Sequence, residues 1–140
     1  MKILIVKTSA LGDIIQTFPV IEYLKRRQAV ETIGWVVEEC AYSLIKAHPY
    51  VDIPIAIDSR KVRSGGFFRF LPECLKQRSL MAENNFDVLF DLQGNIKSGL
   101  ITLCAKASIK VGYGKNFVTE LPNILATNRR FDPPLGLPIR

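Results

Sequence analysis

The chain has 140 residues, of which 48% are hydrophobic and 23% charged, and its formal net charge is +6. This length is enough for one domain with a hydrophobic core, and the apolar share excludes a disordered chain. No apolar run approaches the roughly 20 residues of a membrane-spanning helix, and the first residues lack the arrangement of a signal peptide, so we expect a cytoplasmic protein.

Strand-like and helix-like segments alternate along the chain. β-branched and apolar runs predict strands over residues 3–6, 32–37, 52–57, 88–90 and 109–113. Apolar residues at helical spacing predict helices over residues 14–27, 38–47, 67–83 and 96–106. Pro19 predicts a short first turn followed by a kink or a restart, and Pro72 predicts an interruption of the helix that contains it.

This alternation predicts an α/β fold, a doubly wound, Rossmann-like parallel sheet with helices on both faces. In such sheets ligands bind beyond the carboxyl ends of the strands, where residues 7–13, 58–66 and 91–98 fall. Residues 129–140 contain three prolines, and their apolar residues follow neither the helical nor the strand spacing, so we expect a connector or a truncated end there.

Positive charge is concentrated in residues 60–78, where six lysines and arginines accompany a single acid, Glu73. The pattern is typical of a solvated basic face and also of a surface that binds a polyanion, and both interpretations stay open. For the mixed apolar and basic segment 67–81, a helix packed on the sheet competes with a surface that touches a membrane. Three cysteines without metal spacing and a single histidine predict no metal site and no cofactor.

The turn after the first predicted strand reads Lys7-Thr8-Ser9-Ala10-Leu11-Gly12-Asp13. It is neither a Walker A loop nor a G-x-G-x-x-G motif, since it contains one glycine and no G-K-[ST]. Gly12 would let a backbone or a substrate come close, and Asp13 would stand at a helix start. From the residues alone, Asp13 is either a helix cap or a functional carboxylate.

The opening MKILIVKTSALGDIIQTFPVI resembles that of the lipopolysaccharide heptosyltransferases of the inverting glycosyltransferase family 9. The family pattern is a strand, then K-x-[ST]-x-[LM]-G-D-[IV], then T-x-P. It is matched by Lys7, Ser9, Leu11, Gly12, Asp13, Ile14, Thr17 and Pro19. The resemblance extends through GWVVEE, FDVLFDLQGNIKSGL and NRRFDPP, and so spans essentially the whole chain.

The resemblance implies a two-domain enzyme with the glycosyltransferase B arrangement, which transfers heptose from ADP-heptose to the inner-core Kdo sugar of lipid A. Residues 1–128 would form the acceptor-binding domain, the amino-terminal half of that arrangement. The donor-binding domain is not among these 140 residues, so we expect the chain alone to be inactive. A peripheral contact with the inner face of the inner membrane, where the lipid acceptor resides, is also implied.

The family assigns the role of general base to the aspartate of the G-D pair, which corresponds to Asp13. In an inverting transfer a carboxylate takes the proton of the attacking hydroxyl, and a helix start favours its ionised form. Asp91 is the next candidate for this role, and with Gln93 and Lys97 it could also reach the hydroxyls and carboxylates of the acceptor sugar. Acceptor contacts are predicted for Lys7, Ser9, Gly12, Arg60, Lys61, Arg63, Gln93 and Lys97. The simpler alternatives are an exposed Lys7, a turn at Gly94 with a helix cap at Asn95, and a solvated loop over residues 58–66.

Two other classes of protein fit parts of the sequence. A receiver-like signalling domain has a similar length and a parallel sheet, but it needs an acidic pair where Lys7-Thr8-Ser9 stand. A nucleic-acid-binding module would use the basic stretch, but it needs stacking aromatics or a known motif, and the sequence shows neither. We therefore expect no nucleic-acid partner.

Overall fold

The computed structural model describes residues 1–27, 29–58 and 67–134. These ranges contain the strands β1 (Lys2–Val6), β2 (Thr32–Glu38), β3 (Ile53–Ile57), β4 (Phe86–Asp91), β5 (Ala107–Tyr113) and β6 (Arg129–Phe131). The α-helices are α1 (Leu11–Gln16), α2 (Phe18–Arg27), α3 (Tyr42–Lys46), α4 (Phe67–Glu83) and α5 (Ile96–Cys104). Short 3₁₀ helices occupy Glu39–Ala41 and Leu121–Ala126.

The strands form one sheet in the order β3-β2-β1-β4-β5-β6, and every pairing is parallel. The chain moves outward from β1 to β3, crosses to β4 on the other side of β1, and continues outward to β6. The connections that follow β1 and β4 therefore leave these neighbouring strands in opposite directions, which makes this pair the switch point of the sheet. The predicted doubly wound parallel sheet is confirmed.

Apolar side chains cover both faces of the sheet, and this is why helices pack on both sides. Ile3 and Ile5 of β1 face a cluster that includes Ile14 and Ile21 from the layer of α1, α2 and α3. The alternate residues of β1, Leu4 and Val6, face a second cluster formed with α4 and α5. Each fully buried side chain of this size contributes roughly 1.5–3 kcal/mol to the stability of the fold. The side chains of β1 therefore stabilise the packing of both helical layers on the centre of the sheet.

The connection from β1 to β2 contains two helices instead of one. Thr17 stands between α1 and α2, and its hydroxyl donates to the carbonyl oxygen of Asp13 at 2.8 Å. Pro19 lies in the first turn of α2, where its missing N–H costs nothing. The predicted restart at Pro19 is confirmed.

The expected interruption at Pro72 is wrong, because α4 runs through this residue without a break. A proline in a helix interior costs about 3 kcal/mol. Phe70, Cys74 and Met81 are each at most 1% exposed on the inner side of α4. Burial of such side chains contributes roughly 1.5–3 kcal/mol each, so packing outweighs the lost hydrogen bond. The helix predicted over residues 38–47 is also divided, into the 3₁₀ turn and α3.

The sixth strand was not predicted, since residues 129–140 were interpreted as a connector or truncated end. Arg129–Phe131 pair with Val111–Tyr113 and belong to the sheet. The side chain of Asn128, the residue before β6, binds the backbone of β5. Its oxygen accepts from the N–H of Lys110 at 2.8 Å, and its amide group donates to the carbonyl oxygen of Ser108 at 3.0 Å. Within the described residues, no helix has the length and apolar character needed to cross a membrane.

Candidate active site at the carboxyl edge of the sheet

The predicted site residues of the first turn gather at the switch point. Lys7 directly follows β1, and its Nζ lies 3.4 Å from Oδ2 of Asp13. The Lys7 side chain is 12% exposed, whereas that of Asp13 is 49% exposed. This pair therefore combines a largely buried cation with a carboxylate that solvent, or a substrate, can reach.

Asp13 is not the helix cap that the residues alone allowed. The N-cap of α1 is Ala10, which makes no side-chain cap hydrogen bond, and Asp13 is the third residue of the helix. Its acidic side chain lies in the first turn, where the helix dipole favours a negative charge. Because the carboxylate is not needed as a cap, it is available for chemistry at the edge of the sheet.

The turn after β4 is built around Asp91, whose side chain is 1% exposed. Its Oδ1 accepts from the N–H groups of Gln93 and Gly94, both at 3.0 Å. Its Oδ2 accepts from Nδ2 of Asn123 at 2.6 Å and from the hydroxyl of Thr102 at 3.3 Å. The expectation that Asp91 reaches the acceptor, or replaces Asp13 as base, is wrong, because a buried carboxylate with four donors around it has a structural role.

The expected turn at Gly94 and cap at Asn95 are confirmed. Gly94 has a φ of +72°, a conformation that glycine adopts readily. The side chain of Asn95 accepts from the N–H of Ser98, and the side chain of Ser98 accepts from the N–H of Asn95, which makes a reciprocal capping box at the start of α5. The turn is thereby fixed on both sides of Gly94.

Two of the cavities at this edge receive residues from the loop between β1 and α1. One, of about 220 Å³, contains Lys7 and Asp13 together with Thr17, Leu92 and Tyr113. The other, of about 330 Å³, is lined by Thr8, Ser9, Glu38, Phe70, Asn95, Ile96, Lys97, Leu100 and Glu120. Lys7 and Asp13 thus share the smaller cavity, and Ser9 and Lys97 share the larger one. The larger cavity carries both signs of charge, and the carboxylate of Glu120 accepts the N–H of Ile96 at 2.5 Å.

Gly12 lies beside open space, and Gln93 contacts the loop that follows β1. A methyl group at Gly12 would meet no atom within 4 Å, so no backbone packs against it. Gln93 turns its side-chain carbonyl oxygen to the N–H groups of Thr8 and Ser9, both at 3.2 Å. Arg60, Lys61 and Arg63 lie outside the described residues, so their predicted acceptor contacts stay predictions.

Tyr113 is a site residue that the sequence analysis missed. It ends β5 and lines the same cavity as Asp13. Burial raises the pKa of Tyr113, and the negative charges of Asp91 and Asp13 raise it further, so its phenol keeps its proton at neutral pH. Its position at the carboxyl end of a strand was the signal that could have identified it.

The described residues contain no group of three or more histidine, cysteine, aspartate or glutamate side chains placed to hold a metal ion. The ring of the single histidine, His48, packs against Phe18 with 4.5 Å between ring centroids and an angle of 57° between the ring planes. Burial lowers the pKa of His48, which favours the neutral ring.

The doubly wound parallel sheet places the chain among the Rossmann-like domains. Its fold is that of the amino-terminal half of a glycosyltransferase B arrangement. The structure of the E. coli heptosyltransferase WaaC with ADP-2-deoxy-2-fluoro heptose superposes with a TM-score of 0.79 and 30% sequence identity, over 94% of this chain and 42% of that one. The model of glycosyltransferase family 9 (heptosyltransferase) matches residues 75–139.

Curated proteins agree with this assignment. Lipopolysaccharide heptosyltransferase 1 of Campylobacter coli is 32% identical over 145 residues, which cover 98% of this chain and 40% of that protein. The protein of the same name from Escherichia coli K12 is 31% identical, over 93% of this chain and 41% of its own length. The chain belongs to glycosyltransferase family 9, and it spans about 40% of the length of these relatives.

Proposed function

We propose that this domain forms the acceptor side of an inverting heptosyltransferase of lipopolysaccharide core synthesis. In this proposal residues 1–128 bind the Kdo sugar of lipid A, and ADP-heptose is held by a second domain. The observation that carries the proposal is the Asp13 carboxylate, which is half exposed in a cavity at the switch point and paired with Lys7. The family membership supports the choice of a heptose donor and a lipopolysaccharide acceptor.

The chemistry requires one proton acceptor from this domain. The acceptor hydroxyl oxygen bonds to the anomeric carbon of heptose while the bond from that carbon to the ADP oxygen breaks on the opposite face, which inverts the configuration. The hydroxyl proton passes to Asp13, and ADP leaves with the electron pair of the broken bond. Lys7, 3.4 Å from Oδ2, holds the carboxylate toward the cavity and balances its charge.

We propose acceptor contacts for the other polar groups of the two cavities. Ser9 and Lys97 line the larger cavity, where a hydroxyl and an ammonium group suit sugar hydroxyls and carboxylates. Gly12 leaves open space beside Asp13. The basic residues Arg60, Lys61 and Arg63 would bind the phosphates and carboxylates of the acceptor in the forked geometry of guanidinium groups.

The decisive variant is Asp13→Asn in the full-length protein. Since the amide cannot accept the proton, we expect turnover to fall by roughly 10²–10⁴-fold, the usual range for a positioned general base. We expect the free energy of unfolding to fall by only about 1 kcal/mol, because the side chain is half exposed and is not a cap, and an ion pair with an exposed carboxylate contributes little. Transfer of heptose to a Kdo-bearing lipid A acceptor and urea unfolding give the two measurements.

Glu22→Gln is a matched control. Glu22 is 48% exposed, close to the 49% of Asp13, and it also forms an ion pair, with Arg26 at 2.7 Å. The control should retain full turnover, since it lies outside both cavities. Turnover within a few-fold of the parent in Asp13→Asn would show that the base lies elsewhere.

We also propose a peripheral membrane contact through the outer side of α4. Leu71 and Leu75 are 36% and 47% exposed there, and the exposed Lys76 and Arg78 flank them. Apolar side chains flanked by cations suit the surface of an anionic leaflet. The protein should sediment with vesicles that contain anionic phospholipid, and Leu75→Glu should weaken this binding; equal sedimentation of the two proteins would contradict the contact.

A further inference from the structure

Two turns meet at the switch point, and a single side chain joins them. The turn after β4 follows the end of β1 closely, since the N–H of Leu92 donates to the carbonyl oxygen of Val6 at 3.0 Å. One residue further, Oε1 of Gln93 accepts from the N–H groups of both Thr8 and Ser9 at 3.2 Å. A carbonyl oxygen has two lone pairs, so this one atom can satisfy two consecutive backbone donors.

Gln93 is itself held in place from the opposite side. The buried Asp91 accepts its N–H at 3.0 Å, and the hydroxyl of Thr119 donates to its carbonyl oxygen at 3.2 Å. Asp91 is in turn fixed by Thr102 of α5 and by Asn123. The side-chain oxygen of Gln93 is therefore presented by a buried hydrogen-bond network and not by a mobile surface turn.

The loop held by Gln93 leads directly into α1. Thr8 is 5% exposed and its carbonyl oxygen accepts from the N–H of Glu38 at 3.2 Å, so the loop is bound to β2 on its other side. After Ser9 the chain enters α1, which carries Asp13 in its first turn. Small displacements of this loop would move the Asp13 carboxylate relative to any substrate in the cavity.

We infer that Gln93 is a positioning residue, which sets the loop from Lys7 to Ala10 and thereby the place of Asp13, and that it acts through Oε1. This inference rests on the proposed function, in which Asp13 is the base. It differs from an acceptor contact, for which the amide N–H groups of Gln93 would be the acting atoms. The carbonyl oxygen already has two backbone partners, as expected of a group that orders the protein and not the substrate.

The test compares Gln93→Ala with Gln93→Glu in the full-length protein. A carboxylate keeps an oxygen for the two N–H groups but has no amide N–H to offer a substrate. In Gln93→Ala we expect kcat to fall about tenfold or more while KM for the acceptor stays within about twofold, as for a misplaced catalytic group. Gln93→Glu should recover most of the lost kcat. Gln77→Ala on α4, outside both cavities, is the matched control and should behave as the parent.

Amide hydrogen exchange gives a second measurement that needs no activity. The amides of Thr8 and Ser9 should exchange faster by about tenfold or more in Gln93→Ala and return to slow exchange in Gln93→Glu. Unchanged exchange in Gln93→Ala would overturn the inference whatever the activity. A Gln93→Glu variant as poor as Gln93→Ala, or a rise in KM at constant kcat, would overturn it in favour of an acceptor contact. Absence of heptose transfer by the parent would refute the proposed function alone, and the exchange data would still decide the role of Gln93 in the loop.

Discussion

At the scale of single residues, Gly12 is a glycine that the fold does not require. It is the second residue of α1, its backbone does not adopt a positive φ, and a Cβ there would meet open space. Glycine in a helix is less favourable than alanine by roughly 0.5–1 kcal/mol. Glycine at this position costs stability and does not serve packing. We therefore infer that it serves the neighbouring cavity that contains Asp13, which a larger side chain would narrow.

Gly12→Ala should therefore separate stability from activity. We expect the free energy of unfolding to rise by about 0.5–1 kcal/mol, and turnover to fall because the methyl group would occupy space that we propose for the acceptor. Urea unfolding and heptose transfer by the full-length protein measure the two effects. Gly34→Ala is the contrasting control, since its Cβ would lie 2.6 Å from the ring of Phe86 and should destabilise the sheet. A Gly12→Ala protein with unchanged kinetics would remove Gly12 from the site.

At the scale of secondary structure, much of the fold could be predicted because its signals are local. The five predicted strands are apolar or β-branched runs, and Pro19 marks the break between α1 and α2. Signals that depend on distant partners were missed. Pro72 reads as a helix breaker until the burial of Phe70 and Cys74 is known, and β6 is too short and too polar to be identified without β5.

The candidate site also contains residues that local sequence identifies and residues whose role depends on distant partners. Lys7 and Asp13 lie in the same short loop of the sequence, so the pattern and the resemblance together named both as candidates, and the structure shows that they form an ion pair. The two side chains that donate to Asp91 are 11 and 32 residues away in the sequence, and no spacing rule predicts that it is buried. Asp91 was therefore interpreted as a substrate contact, although its carboxylate holds the turn that carries Gln93.

The packing of α4 on α5 predicts a dependence of stability on alkaline pH. Cys74 of α4 is fully buried, and burial raises the pKa of its thiol to about 12, with a further contribution from Cys104 and Glu73. In the unfolded chain a thiol ionises near pH ~8.5, so between about pH 9 and 12 the folded state binds the extra proton. This contribution to stability is complete below the unfolded pKa and is lost as pH rises toward the folded pKa.

We expect the free energy of unfolding to fall above about pH 9, and to fall less steeply in Cys74→Ala. Burial also raises the pKa of Cys104, which acts in the same direction, and lowers the pKa of Lys110, which acts in the opposite one. The difference between variant and parent isolates Cys74. Urea unfolding under reducing conditions from pH 8 to 10 measures it, and Cys40→Ala, at an exposed cysteine, is the control. Parallel pH curves for the parent and Cys74→Ala would contradict this assignment.

At the scale of the whole molecule, the site draws on both helical layers of the doubly wound fold. Asp13 comes from the layer of α1, α2 and α3, whereas Lys97 belongs to α5, in the layer on the other face, and Asn95 caps that helix. The strands β1 and β4 lie between these layers and are hydrogen-bonded neighbours. The relative position of the Asp13 carboxylate and the α5 side of the candidate site is therefore set by the centre of the sheet, its most buried part.

The two ends of the strand order have a consequence for how copies of this protein behave at high concentration. Among the described strands β3 and β6 are outermost, and an outer strand can template the addition of a strand from another chain. Pro54 within β3 has no N–H to offer such a partner, and β6 is only three residues long with two exposed arginines, Arg129 and Arg130. Missing donors, short length and like charges oppose edge-to-edge aggregation. These features of the outer strands favour a domain that stays dispersed in a crowded solution.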